Sequence, residues 1–147
     1  MKLVLLSLFL LVSTILGYAE EVRVCPPWQL TVVDEKGKPV ADCAVVQEWG
    51  YTFINASTNY ATNVVTDAAG SLALPERWAV SPIEVSKFKK LLERHLQGQS
   101  EGPWATLFVW KKGYEGVRVH AWGDANVVFT PKGLRSKIVL RPEKAAK

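Results

Sequence analysis

Apolar and polar positions alternate along most of this chain in short runs, each ended by a turn. Residues 28–34 (Trp-Gln-Leu-Thr-Val-Val-Asp) stop at Glu35-Lys36-Gly37-Lys38, where Gly37 supplies the positive φ of a tight reversal. Pro39 cannot donate to a ladder, so it stands at the entry to the next run rather than inside it. In 41–49, Cys43, Val45 and Gln47 fall on one face and Ala44, Val46 and Glu48 on the other, the period of a strand. Residues 50–60 are polar and aromatic and read as a loop or ragged hairpin. Residues 62–66 and 71–74 bracket Asp67-Ala-Ala-Gly70, which predicts a hairpin.

The period changes at Ser81-Pro82-Ile83-Glu84, a capping serine, a first-turn proline and the glutamate of a capping box. Val85, Phe88, Leu91, Leu92, His95 and Leu96 follow at helical spacing, predicting one amphipathic helix over 81–97 that covers an edge or open end of the sheets. Four β-type runs come next, at 105–111, 116–122, 126–130 and 137–141, and the tail 143–147 reads as disordered. Seven to eight short strands with turns at this spacing predict a mainly β fold, an antiparallel β-sandwich with one inserted helix.

The first residues bear on compartment. Lys2, the apolar run from Leu3 to Leu16, and Gly17-Tyr18-Ala19 predict a secretory signal over 1–19, cut after Ala19. The run is shorter than the ~20 apolar residues of a bilayer crossing, so no membrane span is expected once the leader is gone. The protein is expected in the periplasm or outside the cell. Residues 20–142 then form one domain, within the usual ~100–200 residues. Basic residues number 18 against 14 acidic ones. They are interleaved rather than gathered on one face, which argues against nucleic acid as a partner. Two cysteines in an exported chain predict a Cys25–Cys43 disulfide, contributing roughly 3 kcal/mol, provided Cys25-Pro26-Pro27 folds back across the sheets.

The order of several short motifs resembles the carboxypeptidase regulatory-like family, whose domains are transthyretin-like (prealbumin-like) β-sandwiches. They are Val32-Val33-Asp34 with Gly37 and Pro39-Val40-Ala41, then Thr66-Asp67-Ala68-Ala69-Gly70 with Leu72 and Leu74-Pro75. Lys112-Gly113-Tyr114 and Ile138-Val139-Leu140 complete the series. The resemblance covers about 28–142. It implies an exported, non-catalytic module that binds another envelope or secreted protein, without a cofactor. The helix over 81–97 is longer than such domains usually carry there, and Cys43 takes the place of a small apolar residue.

Chemistry is sparse. His95 lies on the helix's apolar stripe. His120 shares a face with Arg118 and Trp122, and no nucleophile elbow accompanies it. Some relatives of the transthyretin-like fold are enzymes. The hydroxyisourate hydrolases end in a Tyr-Arg-Gly-Ser signature, and the iron-dependent ring-cleaving dioxygenases need paired Tyr and His ligands at short spacing. This chain has neither pattern, so no metal is expected and the protein is not expected to be an enzyme. The aromatic residues are the better lead. Trp49, Tyr51, Trp78, Trp104 and Trp122, with His120, lie near predicted element ends, where sandwich loops cluster. An indole row of this kind stacks on sugar rings or anchors a partner. A glycan-binding module using these tryptophans and a small hydrolase using His120 with Asp124 or Glu48 are the alternatives.

Overall fold

The computed structural model describes residues 21–53, 56–81 and 102–143. The predicted leader, nearly all of the predicted helix over 81–97 and most of the tail lie outside the described residues. The described residues are mainly β and contain no helix. They form β1 (Glu21–Cys25), β2 (Trp28–Asp34), β3 (Ala44–Phe53), β4 (Ala56–Val65) and β5 (Ser71–Leu74). After these come β6 (Arg77–Val80), β7 (Gly102–Trp110), β8 (Val117–His120), β9 (Val127–Thr130) and β10 (Gly133–Leu140).

Two open four-stranded sheets have the orders β5-β2-β10-β9 and β4-β3-β7-β8, and β1 pairs β6 as a separate ribbon. The pairing is antiparallel except between β2 and β10, which run parallel. Alternation decides what each sheet buries. Leu30 and Val32 of β2 meet Val45 of β3, Leu107 and Val109 of β7, and Leu134, Ile138 and Leu140 of β10 in one apolar core. The ribbon closes part of this core with Val24, Cys25 and Ala79. A bulge between Arg23 and Cys25 lets the neighbours Val24 and Cys25 both turn inward.

The two Asp-Gly turns perform one operation. In each, the aspartate carboxylate accepts two backbone N–H groups: Lys36 and Lys38 at 2.9 and 2.8 Å on Asp34, Ala69 and Ser71 at 2.9 and 2.8 Å on Asp67. Each ends on a glycine with positive φ, 78° at Gly37 and 68° at Gly70. The first turn closes only the short antiparallel bridge Val33↔Pro39, and neither turn joins two strands of one sheet. Residues before and after each turn belong to different sheets, so the expected 62–66/71–74 hairpin is corrected to a crossing. The two crossings also bond to each other, Val32 N–H to the Gly70 carbonyl at 2.8 Å and Asp42 N–H to the Thr66 carbonyl at 3.2 Å.

One further expectation is narrowed and one changes. Of the two readings of 50–60 the hairpin holds: β3 and β4 pair antiparallel in unbroken register from Ala44↔Val65 to Phe53↔Ala56, the longest ladder among the described residues. The Cys25–Cys43 bridge is not formed. Both cysteines are free and buried. Their thiols donate to separate carbonyls, Cys25 to Pro26 and Cys43 to Val40, each at 3.3 Å. Cys25 belongs to the ribbon, whereas Cys43 is held beside the second crossing by its N–H bond to Thr66 Oγ1 at 3.0 Å.

Candidate functional site

The expected single row of aromatic residues does not form, because strand register distributes those side chains over three places. Trp49 points inward from β3 and is buried, with Tyr60 stacked on it at 5.8 Å. Its indole N–H donates to the Trp78 carbonyl at 3.1 Å, which joins β3 to β6 while the Trp78 side chain stays exposed. Tyr51 is half-buried on the same inner face.

Trp104 and His120 lie instead on the outer face of the second sheet. Trp104 covers Gly50, where an added Cβ would stand 2.8 Å from its ring. His120 is in register with Thr106, and Thr106 with Glu48; the Thr106 hydroxyl lies 3.4 Å from the Glu48 carboxylate. Asp124 is not a partner for the imidazole. Its carboxylate accepts the backbone N–H groups of His120 at 3.3 Å and Asn126 at 2.9 Å, fixing the turn after β8.

Trp122 forms the third place. It walls an open groove of about 580 Å³ together with Phe129, Pro26, Pro27 and Pro131. Trp122 is 39% exposed and Phe129 59%, so both offer ring surface to a ligand. Lys132 lies on the rim. Arg23 of the ribbon and Glu76, just before β6, also line it, paired with each other at 3.6 Å. Two tight turns and a bulged strand meet here, which is why three prolines line it.

Beneath the ribbon is a polar cluster that the sequence did not single out. Gln47 occupies an inward position between Val45 and Trp49 and is fully buried. Its Oε1 accepts Arg77 Nε at 2.7 Å, and the Arg77 guanidinium lies 4.4 Å from the centre of the Trp49 ring. Burial pulls the Arg77 guanidinium below its ordinary range. Burial likewise pushes the Cys25 thiol, across the ribbon from Arg77, up to about 12, so the thiol keeps its proton at neutral pH. The Cys43 thiol is also raised by burial, against the smaller opposing effect of the Thr66 hydroxyl.

No protein-family model matches the chain, and no curated relative matches it by sequence. Among solved structures it is similar to 3-chlorocatechol 1,2-dioxygenase from Rhodococcus opacus 1CP, at 21% identity over 86% of this chain, TM-score 0.49. Catechol 1,2-dioxygenase from Acinetobacter radioresistens gives 15% over 82%, TM-score 0.46, and hydroxyquinol 1,2-dioxygenase from Pseudomonas putida DLL-E4 gives 14% over 87%, TM-score 0.43. The chain spans 62%, 53% and 58% of those proteins' lengths.

The expectation of a non-catalytic binding module, with its glycan and His120-hydrolase alternatives, is corrected here. These solved structures are enzymes, not carboxypeptidase regulatory-like domains. The likeness assigns no substrate and no catalytic residue. Nor do the described residues fit the iron centre of ring-cleaving dioxygenases. His120 stands on the outer face of an edge strand, Tyr51 faces inward, and Tyr114 sits in the turn before β8. Among the described residues no three His, Cys, Asp or Glu side chains gather as a metal would require.

Proposed function

We propose that this protein binds a small planar acid in the Trp122–Phe129 groove, on an exported prealbumin-like β-sandwich. The observation that carries the reading is the pair of exposed rings facing a concave space of about 580 Å³ beside Lys132 and Arg23. That volume falls within the ~300–1,000 Å³ of small-molecule sites, and an apolar wall with a few polar groups is their usual lining. The rings supply stacking surface for a flat ligand. The ammonium of Lys132 attracts its negative charge, and Arg23 can exchange its exposed Glu76 partner for a ligand carboxylate at little cost.

The supports for the scaffold are two open sheets over one core and the paired crossings at 34–37 and 67–70. Export rests on the leader over 1–19.

The test is a fluorescence titration with benzoate, salicylate and catechol, the last because the similar solved structures are catechol dioxygenases. Saturable quenching by the acids is expected, lost in Trp122→Phe and weakened about tenfold in Lys132→Ala, which corresponds to ~1.4 kcal/mol. Equal quenching in wild type and Trp122→Phe refutes the assignment. Mass spectrometry of the same mixtures reports any product, and product formation would make the groove catalytic.

A further inference from the structure

We propose that Gln47 and Arg77 hold a small inorganic anion, of chloride's size and charge, in the interior beneath the β1–β6 ribbon. The argument starts from an unsatisfied atom. Gln47 is fully buried, and its Nε2 has no acceptor among the described residues. Rotating the amide does not repair this. Oε1 already takes the Arg77 Nε proton at 2.7 Å, and a flip would set donor against donor. The orientation is therefore fixed by Arg77, and the amide N–H₂ is left seeking an acceptor at a cost that buried polar groups rarely bear.

The charge balance points the same way. The guanidinium keeps its charge at any physiological pH. Its described neighbours are a neutral amide oxygen and the face of Trp49. No described carboxylate forms an ion pair with it; Glu76, its chain neighbour, pairs with Arg23. The Cys25 thiol across the ribbon is held protonated by burial and supplies no negative charge. A water molecule would satisfy Nε2 alone, whereas an anion would accept from Nε2 and also pair with the part-exposed guanidinium. A monovalent anion answers both needs. Gln47 is fully buried, and Val24, Cys25 and Ala79 of the ribbon belong to the buried core, which favours a small ion over an organic acid.

The test compares thermal stability in sodium chloride and sodium gluconate at equal ionic strength. Wild type is expected to gain Tm saturably with chloride. Gln47→Leu and Arg77→Met should lose that response. Because either variant can fail to fold, crystals of wild type soaked in bromide supply the second measurement. An anomalous peak within hydrogen-bond distance of Gln47 Nε2 and the Arg77 guanidinium supports the assignment. A chloride response equal in wild type and Gln47→Leu, no response in wild type, or bromide bound only elsewhere overturns it. The groove plays no part in this test, so the two readings fail separately.

Discussion

Ser136→Ala is expected to destabilise the protein by about 1–3 kcal/mol, although it removes one oxygen atom and no apolar surface. Trp28 opens β2 and is fully buried, and its indole N–H donates to Ser136 Oγ at 2.7 Å. Ser136 is 6% exposed, on β10, the parallel neighbour of β2. Deleting the acceptor leaves a buried donor with no route to water. The cost is then the full desolvation penalty, ~1–3 kcal/mol, rather than the ~1 kcal/mol net worth of a hydrogen bond. For a domain of this size each kcal/mol moves Tm by roughly 4 °C. The assay is urea unfolding of wild type, Ser136→Ala, Trp28→Phe and the double variant. Ser136→Ala should lower the midpoint with m unchanged. Once Trp28→Phe has removed the donor, Ser136→Ala should cost much less, a coupling of ~0.5–3 kcal/mol. An unchanged midpoint in Ser136→Ala, or two effects that simply add, would show that this bond does not tie the two strands.

Gly50→Ala places a Cβ 1.9 Å from the Thr58 carbonyl and 2.8 Å from the Trp104 ring. Backbone on β4 cannot swing aside, so the loss should reach or exceed the ~3 kcal/mol upper end of overpacking, read as a fall in Tm. Cys25 predicts an alkaline weakness. Its thiol ionises near 9.0 when unfolded and at about 12 when folded, so the folded state keeps the proton longer. The stability it contributes is therefore complete below pH 9 and is lost as pH rises towards 12, by up to ~1.4 kcal/mol per unit. Urea midpoints of wild type and Cys25→Ala across that window check this: the variant should show the shallower decline, and parallel slopes would refute it.

How far the fold was legible depends on what alternation reports. A period of two identifies the buried face of a strand, and the Cys43–Val45–Gln47 face was read correctly on that basis. It does not report which sheet the strand joins. A crossing turn and a hairpin turn both leave the flanking runs facing one core, so Asp67-Ala-Ala-Gly70 looked like a hairpin. Strand β4 is legible only over 62–66, for another reason. It is an edge strand whose outward positions Asn59, Ala61 and Asn63 are exposed, and that polarity resembles a loop. Strands β1 and β6 are short, one beside the predicted leader and one after Pro75-Glu76, with little apolar periodicity to mark them.

The candidate site was less legible, because it depends on neighbours far apart in sequence. Trp122 was flagged, but Phe129 and Lys132 become its companions only when the turns after β8 and β9 meet Pro26 and Pro27. Gln47 could have raised a flag as a polar residue at an inward position between Val45 and Trp49. Its partner Arg77 belongs to a strand that was not recognised.

Both proposed sites depend on the β1–β6 ribbon, which belongs to neither main sheet. Arg23 projects from β1 to the groove, where it pairs with Glu76 just before β6, while Arg77 and Ala79 project from the opposite side towards the core. Successive residues of β6, Arg77 and Trp78, face opposite sides, the first towards Gln47 and the second towards solvent, as the pleat dictates. The sheets supply a scaffold that many chemistries can share, and each proposed site combines a ribbon residue, Arg23 or Arg77, with residues from the main sheets and their turns. A ligand that draws Arg23 away from Glu76 acts on the strand that carries Arg77. Any communication between the groove and the proposed anion site therefore passes from Glu76 to Arg77, its neighbour in the chain.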